Sequence, residues 1–491
     1  MNYTYFNPTS IEFGTGKIKS IVNYIDKKLK VLVVYGGGSI KRNGVYEEVE
    51  AALEGYTWLE FSGVEPNPSY ETLNKAVKII KDEKIDFVLA VGGGSVIDGS
   101  KYLVAAALYD GDGWDFLDGS EQVKKALPLG AILTLPATGS ESNATAVISK
   151  LATNEKRYFA SSFVYPKFAV LDPSVMSTLD DRQLANGLVD AFVHTCEQYL
   201  TYPNSSLLHD GYSQTILKGL HNLSLNWENR RTPLWQENLM LLANQALNGF
   251  IGSGVPQDWA THMIGHEITA FYGLDHAQSL AVVQPYLLRV MIEDKKEKLL
   301  QMGKEVFNMP QNYEIVIEAI EYMYQSIGVP TKLSAYKTDD KVIENITKAL
   351  ESHGMTALGE KGNITEYLHF AGKNAGEVVL HSFKAGLAEN MVPESATAVI
   401  SGAKDLQAAL EKFVAEHASK NLRFDLEESA GKATITLYGK SAHGAMPEKG
   451  VNGATYLTLF LNQFNFADGA AAFIKVGAEK LLEDHEGEKL G

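Results

Sequence analysis

Cysteine is almost absent from this chain: Cys196 is the only one in 491 residues. One thiol excludes an internal disulfide and a thiolate metal cluster, each of which needs several. Positive charge is scarce as well. Forty-four lysines and arginines stand against 60 acidic residues, a net charge of −16, which excludes nucleic acid and anionic membranes as main partners. No apolar run reaches the roughly 18 residues that a membrane span needs. The first residues, Met1 to Pro8, have neither the basic region nor the apolar run of a signal peptide. There is no low-complexity stretch. The expectation is a cytoplasmic, acidic, soluble protein, long enough for two or three domains.

Histidine is absent from the first 193 residues, although the chain has 12. The first is His194 in Asp190-Ala-Phe-Val-His194, and His262-Met-Ile-Gly-His266 and His276 lie downstream. Residues four apart lie on one face of a helix, one turn above each other. One carboxylate and two or three imidazoles can therefore converge on a divalent cation, with donors that suit zinc or ferrous iron. Taken alone, D-x-x-x-H is common, and a solvated or core-satisfied pair is its more ordinary explanation. Cys196, beside this motif, reads as packing.

The first third repeats one grammar. Val31-Leu32-Val33-Val34-Tyr35 runs into Gly36-Gly37-Gly38-Ser39, and Phe87-Val88-Leu89-Ala90-Val91 into Gly92-Gly93-Gly94-Ser95, continuing to Asp98. Short β-branched runs bounded by glycine read as buried parallel strands, and residues 70–84 between them have helical spacing. Glycines at a strand's carboxyl end let backbone N–H groups approach a pyrophosphate with no Cβ in the way. Glycine turns also end strands for geometric reasons alone, and it is the second copy that favours a nucleotide. A third strand, Ala131–Leu135, leads into the hydroxyl-rich Pro136–Asn143. That segment lines a ribose or nicotinamide, or else caps a following helix. The alternation predicts a doubly wound α/β domain with its crevice at the strands' carboxyl ends.

The chain resembles the iron-dependent (group III) alcohol dehydrogenases, in their butanol dehydrogenase and aldehyde reductase branch, over about residues 1–360. The matching motifs are 36–44 (GGGSIKRNG), 62–68 (SGVEPNP), 92–98 (GGGSVID), 135–141 (LPATGSE), 259–267 (WATHMIGHE) and 273–277 (GLDHA). The resemblance implies a Rossmann-like dinucleotide-binding α/β domain over 1–180 and an all-α metal-binding domain over 181–360. It implies Asp190, His194, His262 and His276 as ligands of one Fe²⁺ or Zn²⁺. For the cofactor site it implies Gly37, Gly38, Ser39, Gly93, Gly94, Ser95, Asp98, Thr134, Thr138 and Lys156. His266 would lie near the nicotinamide as a proton relay, or equally as a hydrogen-bonding support. Relatives that use NAD tend to carry an acidic residue after the first strand. This loop has none and offers Lys41 and Arg42 instead, so NADP(H) is expected over NAD(H). The implied substrate is a short-chain aldehyde or primary alcohol, the implied assembly a homodimer or larger homo-oligomer. Glycerol dehydrogenases and dehydroquinate synthases, which share the broad fold, fit these motifs less well.

The last quarter changes pattern. Strand-like runs at 364–371, 378–383, 396–400, 422–427 and 432–438 enclose a helical stretch at 405–417, and an apolar helix comes next at 454–464. This predicts an α+β ferredoxin-like lobe over 361–491. Phe383–Pro393, Gly439–Pro447, Val451–Thr455 and Asp484–Gly491 resemble the lid domain of bacterial zinc dipeptidases. In that family a histidine matching His443 serves a zinc site held by a separate domain. No H-x-D metal pair occurs anywhere here, so no peptidase activity is expected and His443 becomes an orphan. The seam near 358–364 reads as an engineered chimera, with a natural or assembly-derived gene fusion as the alternative. Competing functional readings are a fusion scaffold without turnover, and a peptide-binding module around Lys440–Pro447.

Overall fold

The computed structural model describes residues 2–201, 206–309, 312–339, 341–355, 357–359, 378–385, 392–429, 431–442, 449–464, 466 and 470–479. The apolar runs of the first third become β-strands because both their faces are covered. The strands are β1 (Ser10–Phe13), β2 (Lys30–Tyr35), β3 (Thr57–Phe61), β4 (Phe87–Gly92), β5 (Leu129–Leu133) and β8 (Phe168–Leu171), with β6 (Thr145–Lys150) and β7 (Glu155–Ala160) forming a separate antiparallel hairpin. The six-stranded sheet is parallel, in the order β1-β8-β5-β4-β2-β3. From β2 the chain goes to β3 on one side and then to β4 on the other. This reversal opens a crevice at the carboxyl ends of β2 and β4, where a doubly wound sheet takes its ligand.

Helices α1 (Val45–Ala52), α2 (Tyr70–Glu83), α3 (Gly94–Ala106) and the short α4 (Asp115–Asp118) connect these strands. In α2 the buried residues Leu73, Ala76, Val77 and Ile80 form one stripe, and the Ser69 hydroxyl caps its start. The two glycine triplets take different shapes. Gly92-Gly93-Gly94 opens α3, whereas Gly36-Gly37-Gly38 leads only into a single 3₁₀ turn, Ser39–Lys41. The third strand ends at Leu133, which leaves Thr134 and Leu135 in the turn. The hydroxyl-rich segment caps no helix: after a 3₁₀ turn, Ser140–Ser142, it enters β6.

The middle third is helical: α5 (Asp181–Tyr199), α6 (Leu207–Leu225), α7 (Pro233–Ala246), α8 (Ala260–Tyr272), α9 (His276–Val290), α10 (Ile292–Met302), α11 (Tyr313–Ser326) and α12 (Val342–Ser352). One cluster of buried apolar side chains runs from Ile18 to Val329 through sheet and helices alike. Sheet and helices form one compact unit, Met1–Thr365. No helix among the described residues is long and apolar enough to cross a membrane.

The second unit, Glu366–Gly491, has its own core, which includes Ala398, Ile400, Leu410, Phe413, Ile435, Leu437, Leu457 and Phe460. It contains β9 (Val379–Ala385), β10 (Ser395–Ser401), α13 (Leu406–Glu416), β11 (Arg423–Ser429), β12 (Lys432–Tyr438), α14 (Gly453–Leu461) and α15 (Ala470–Glu479). The sheet is antiparallel, in the order β11-β12-β10-β9. Strands and helices both contribute to this core. Two strands, rather than the single one of a β-α-β-β-α-β unit, precede the first helix among the described residues. The strand expected at 364–371, His443 and the 484–491 motif lie outside the described residues.

Candidate active site

Three helices bring the histidines together. Helix α5 starts from a capping box, in which Asp180 accepts from the Gln183 backbone N–H and the Gln183 side chain returns the bond. From Leu184 onward nearly every residue is buried. One stripe of this helix carries Asp190, His194 and Glu197, at the i, i+4, i+7 spacing of a single face. Helix α8 carries His262 and, one turn on, His266. It packs closely on α9 because Gly265 has no side chain, and a Cβ there would lie 2.9 Å from Leu280. Asp275 caps α9 and also accepts from Arg182 and Asn186 of α5. That double tie sets His276, the first residue of α9, against the other two helices.

Asp190, His194 and His262 each offer a donor atom, all within 4.8 Å of one another. His194 Nε2 and His262 Nε2 are 3.0 Å apart. Asp190 Oδ1 lies 3.8 Å from His262 Nε2 and 3.7 Å from His276 Nε2. No second group of this kind occurs among the described residues. Burial pushes the Asp190 carboxyl up to about 8, and it pushes His194, His262, His266 and His276 down, His262 to about 3. The imidazoles are therefore neutral at physiological pH, with lone pairs free for coordination. Asp190 Oδ1, His194 Nδ1 and His276 Nδ1 are buried without a hydrogen-bond partner. Buried polar atoms of this kind are rare unless something else satisfies them. A divalent cation fits this donor set and would satisfy the orphaned Asp190 oxygen. His266 borders the group, its ring 6.1 Å from His262 and 5.3 Å from His276.

The histidines line one end of a cleft of about 1170 Å³. Gly37, Gly38 and Ser39 line the same cleft after β2, and Gly93, Gly94, Ser95 and Asp98 line it from the start of α3. Thr134, Thr138 and Lys156 complete the sequence-derived set. Glycine serves different purposes in the two triplets. Gly38 has φ +86°, a left-handed conformation. Gly94 has an ordinary φ, but a Cβ there would meet the Thr138 hydroxyl at 2.5 Å. Of the two cations weighed as phosphate contacts, Arg42 lines the cleft. Lys41 is held by Glu60 at 3.3 Å and lies over the Tyr46 ring.

Three participants escape sequence reasoning. Lys101 is fully buried and donates to Ser140 Oγ, Asn143 Oδ1 and Thr145 O at 2.7–2.8 Å, while Ser140 donates to Asp98. Asp98 also accepts from the Val147 N–H, so it anchors the hydroxyl-rich turn as well as lining the cleft. The i, i+3 spacing of Asp98 and Lys101 is the available signal. Burial pushes Lys101 down to about 8. Replacing it by methionine removes the cation that bridges Ser140, Asn143 and Thr145 beside Asp98, and is expected to cost about 3–5 kcal/mol in urea denaturation; an unchanged midpoint would refute this. Asn67, at φ +56°, accepts from Lys156 Nζ at 2.9 Å. Glu197 is the third: its carboxylate meets the His262 ring at Nδ1.

Known proteins share this outline. The pattern of the iron-containing alcohol dehydrogenases matches residues 8–173, and that of the carboxyl-terminal part of the Fe-containing alcohol dehydrogenase family matches 184–365. The NADPH-dependent aldehyde reductase YqhD of Escherichia coli is 48% identical over 380 residues, 74% of this chain and 96% of that protein. The probable NADH-dependent butanol dehydrogenase 1 of Bacillus subtilis is 38% identical, over 72% of this chain and 94% of its own. The crystal structure of Escherichia coli YqhD superposes with a TM-score of 0.74 at 47% identity, covering 76% of this chain and 98% of that one. The NADH-dependent butanol dehydrogenase A of Thermotoga maritima gives 0.71 at 34% identity, over 75% and 98%. With both halves of the pattern present over one cleft, the chain belongs to the iron-containing alcohol dehydrogenase family and is an oxidoreductase.

Proposed function

We propose that this protein reduces short-chain aldehydes, and oxidises the corresponding primary alcohols, with NADP(H) and one divalent metal ion, Fe²⁺ or Zn²⁺. The observation that carries this reading is the convergence of Asp190, His194, His262 and His276 on one end of a glycine-lined cleft. These four residues hold the metal, which when bound supplies Lewis acidity toward the substrate oxygen. Hydride chemistry belongs to the nicotinamide. The protein's own work is placement. Backbone N–H groups of Gly93, Gly94 and Ser95, at the start of α3, receive the pyrophosphate. Gly37, Gly38 and Ser39 border the adenosine side, while Asp98, Thr134, Thr138 and Lys156 border the rest of the cofactor. Trp259 and Met263 line the cleft beside the histidines and restrict water there. His266, neutral and one turn from His262, relays a proton to or from the substrate oxygen.

Arg42 is the group we assign to the 2′-phosphate. Arg42→Ala is expected to raise KM for NADPH about 10–100-fold, since a charge-assisted hydrogen bond contributes about 1.5–3 kcal/mol. KM for NADH should stay within twofold. Equal effects on both cofactors would remove the assignment. The reading as a whole is tested by NADPH and NADH oxidation with butyraldehyde, on protein reloaded with Fe²⁺ or Zn²⁺. Turnover that needs metal and prefers NADPH is expected; a folded, metal-loaded protein without turnover would favour the scaffold reading.

We read 1–180, 181–360 and 361–491 as three domains, the last a ferredoxin-like, dipeptidase-lid fragment joined as a chimera and catalytically inert. Its separate core and the end of the family match at residue 365 support this. A chain ending at Thr365 is expected to keep kcat within about threefold. Light scattering on both lengths should give the same homo-oligomer, a dimer or larger; a smaller assembly for the short chain would assign self-association to the last domain.

A further inference from the structure

Helix α8 (Ala260–Tyr272) receives one local cap, from Asp258 Oδ1 to the Ala260 N–H at 2.9 Å. Its N-cap, Trp259, makes no side-chain cap bond, although the first turn of any helix leaves backbone N–H groups without partners. A further acceptor comes from α5. Glu197 Oε1 accepts from the His262 backbone N–H at 3.2 Å, and Glu197 Oε2 meets His262 Nδ1. One carboxylate thus grips both the backbone and the ring of a single residue, and Glu197 is itself only 5% exposed. Its backbone carbonyl accepts from the Asp258 N–H at 2.8 Å, and Asp258 forms a buried ion pair with Lys295 at 2.8 Å. The residue is therefore clamped from behind.

We propose that Glu197 is a positioning residue for the metal: it fixes the tautomer and the rotation of His262, so that Nε2 faces Asp190 and His194. With the Nδ1 proton donated to Glu197, the lone pair is confined to Nε2, which lies 3.0 Å from His194 Nε2 and 3.8 Å from Asp190 Oδ1. His276 Nδ1 has no hydrogen-bond partner, and His194 Nδ1 faces Asp190 Oδ1 at 3.5 Å rather than a separate carboxylate behind it. The site is thus asymmetric, and His262 is its pre-set ligand. A carboxylate behind a ligating histidine characteristically changes metal affinity about 10–100-fold. Plain capping of α8 would stabilise the helix and leave the ring free to turn.

The inference rests on the proposed metal site, and one experiment separates the two. Zinc affinity is measured by competition with a chromophoric chelator, for the full chain and for Glu197→Gln, with NADPH binding monitored by fluorescence. The expected result is a 10–100-fold weaker zinc affinity in Glu197→Gln, with NADPH affinity within twofold of the unsubstituted chain. No zinc binding by the unsubstituted chain would sink the metal site itself. Equal zinc affinity in a folded Glu197→Gln would sink only the role of Glu197. Should that variant fail to fold, the crystal structure of the zinc-loaded full chain decides. His262 Nε2 on the metal with Nδ1 against Glu197 supports the proposal, and Nδ1 on the metal overturns it.

Discussion

Asp190→Ala is expected to lose its metal on dialysis and to lower kcat/KM for aldehyde reduction by about 10³-fold or more, a loss of several kcal/mol of transition-state stabilisation. Asp190 is the one anion in the proposed donor set, and without it three neutral imidazoles face a dication. Geometry adds to the loss, because Asp190 Oδ1 stands within 3.5–3.8 Å of a nitrogen on each of the three histidines. His194→Ala and His262→Ala should behave alike, since each removes a member of the closest group of donors. Stability should move the other way. Asp190 Oδ1 is buried and unpartnered, and burial pushes the carboxyl up to about 8, so the metal-free protein carries a cost there. Asp190→Asn is therefore expected to unfold at the same temperature as the metal-free parent or higher, a trade of stability for function. Elemental analysis, steady-state kinetics and thermal melts check the three parts. Full metal content with undiminished turnover in Asp190→Ala would exclude it as a ligand.

Gly94→Val is expected to weaken NADPH binding about 10–100-fold while metal content stays at the parent level. The first side-chain carbon alone would stand 2.5 Å from Thr138 Oγ1 and 2.7 Å from its methyl group. Threonine is branched at that point and cannot fold away. Forcing extra carbons into such a place typically costs about 1–3 kcal/mol, which accounts for the expected factor. The strain falls on the cofactor site, because Gly94 opens α3 and both it and Thr138 line the cleft. The metal-binding helices are held by other contacts, such as Asp275 with Arg182 and Asn186. A fluorescence titration with NADPH reads the first effect and elemental analysis the second. Parent-like affinity in the folded variant would remove the α3 amino terminus from the cofactor site.

Much of the site is legible in the sequence because its chemistry is local. Asp190 with His194, and His262 with His266, are pairs spaced by one helical turn, and such spacing survives any tertiary arrangement. The two glycine triplets are equally visible, being short β-branched strands that end in residues without side chains. Their difference is not visible. Gly38 is needed for its backbone angle and Gly94 for the space in front of Thr138, and the latter depends on a segment more than 40 residues away. The hydroxyl-rich turn reads as a possible helix cap for a similar reason. The next element, β6, is a strand because β7 pairs with it.

By itself the sequence determined the residue types, their helical or strand spacing, and thereby the α/β then all-α plan with its candidate ligands. These are set by nearest neighbours along the chain, where the 3.6-residue and 2-residue periods act. Only the tertiary structure decided which faces meet. It brought His276 to Asp190 through the cap at Asp275, tied Lys41 to Glu60 while leaving Arg42 at the cleft, and set Glu197 behind His262. Each of these contacts joins residues separated in the chain, and among the histidines burial makes them matter: a charge or lone pair shut away from water must find its partner within the fold.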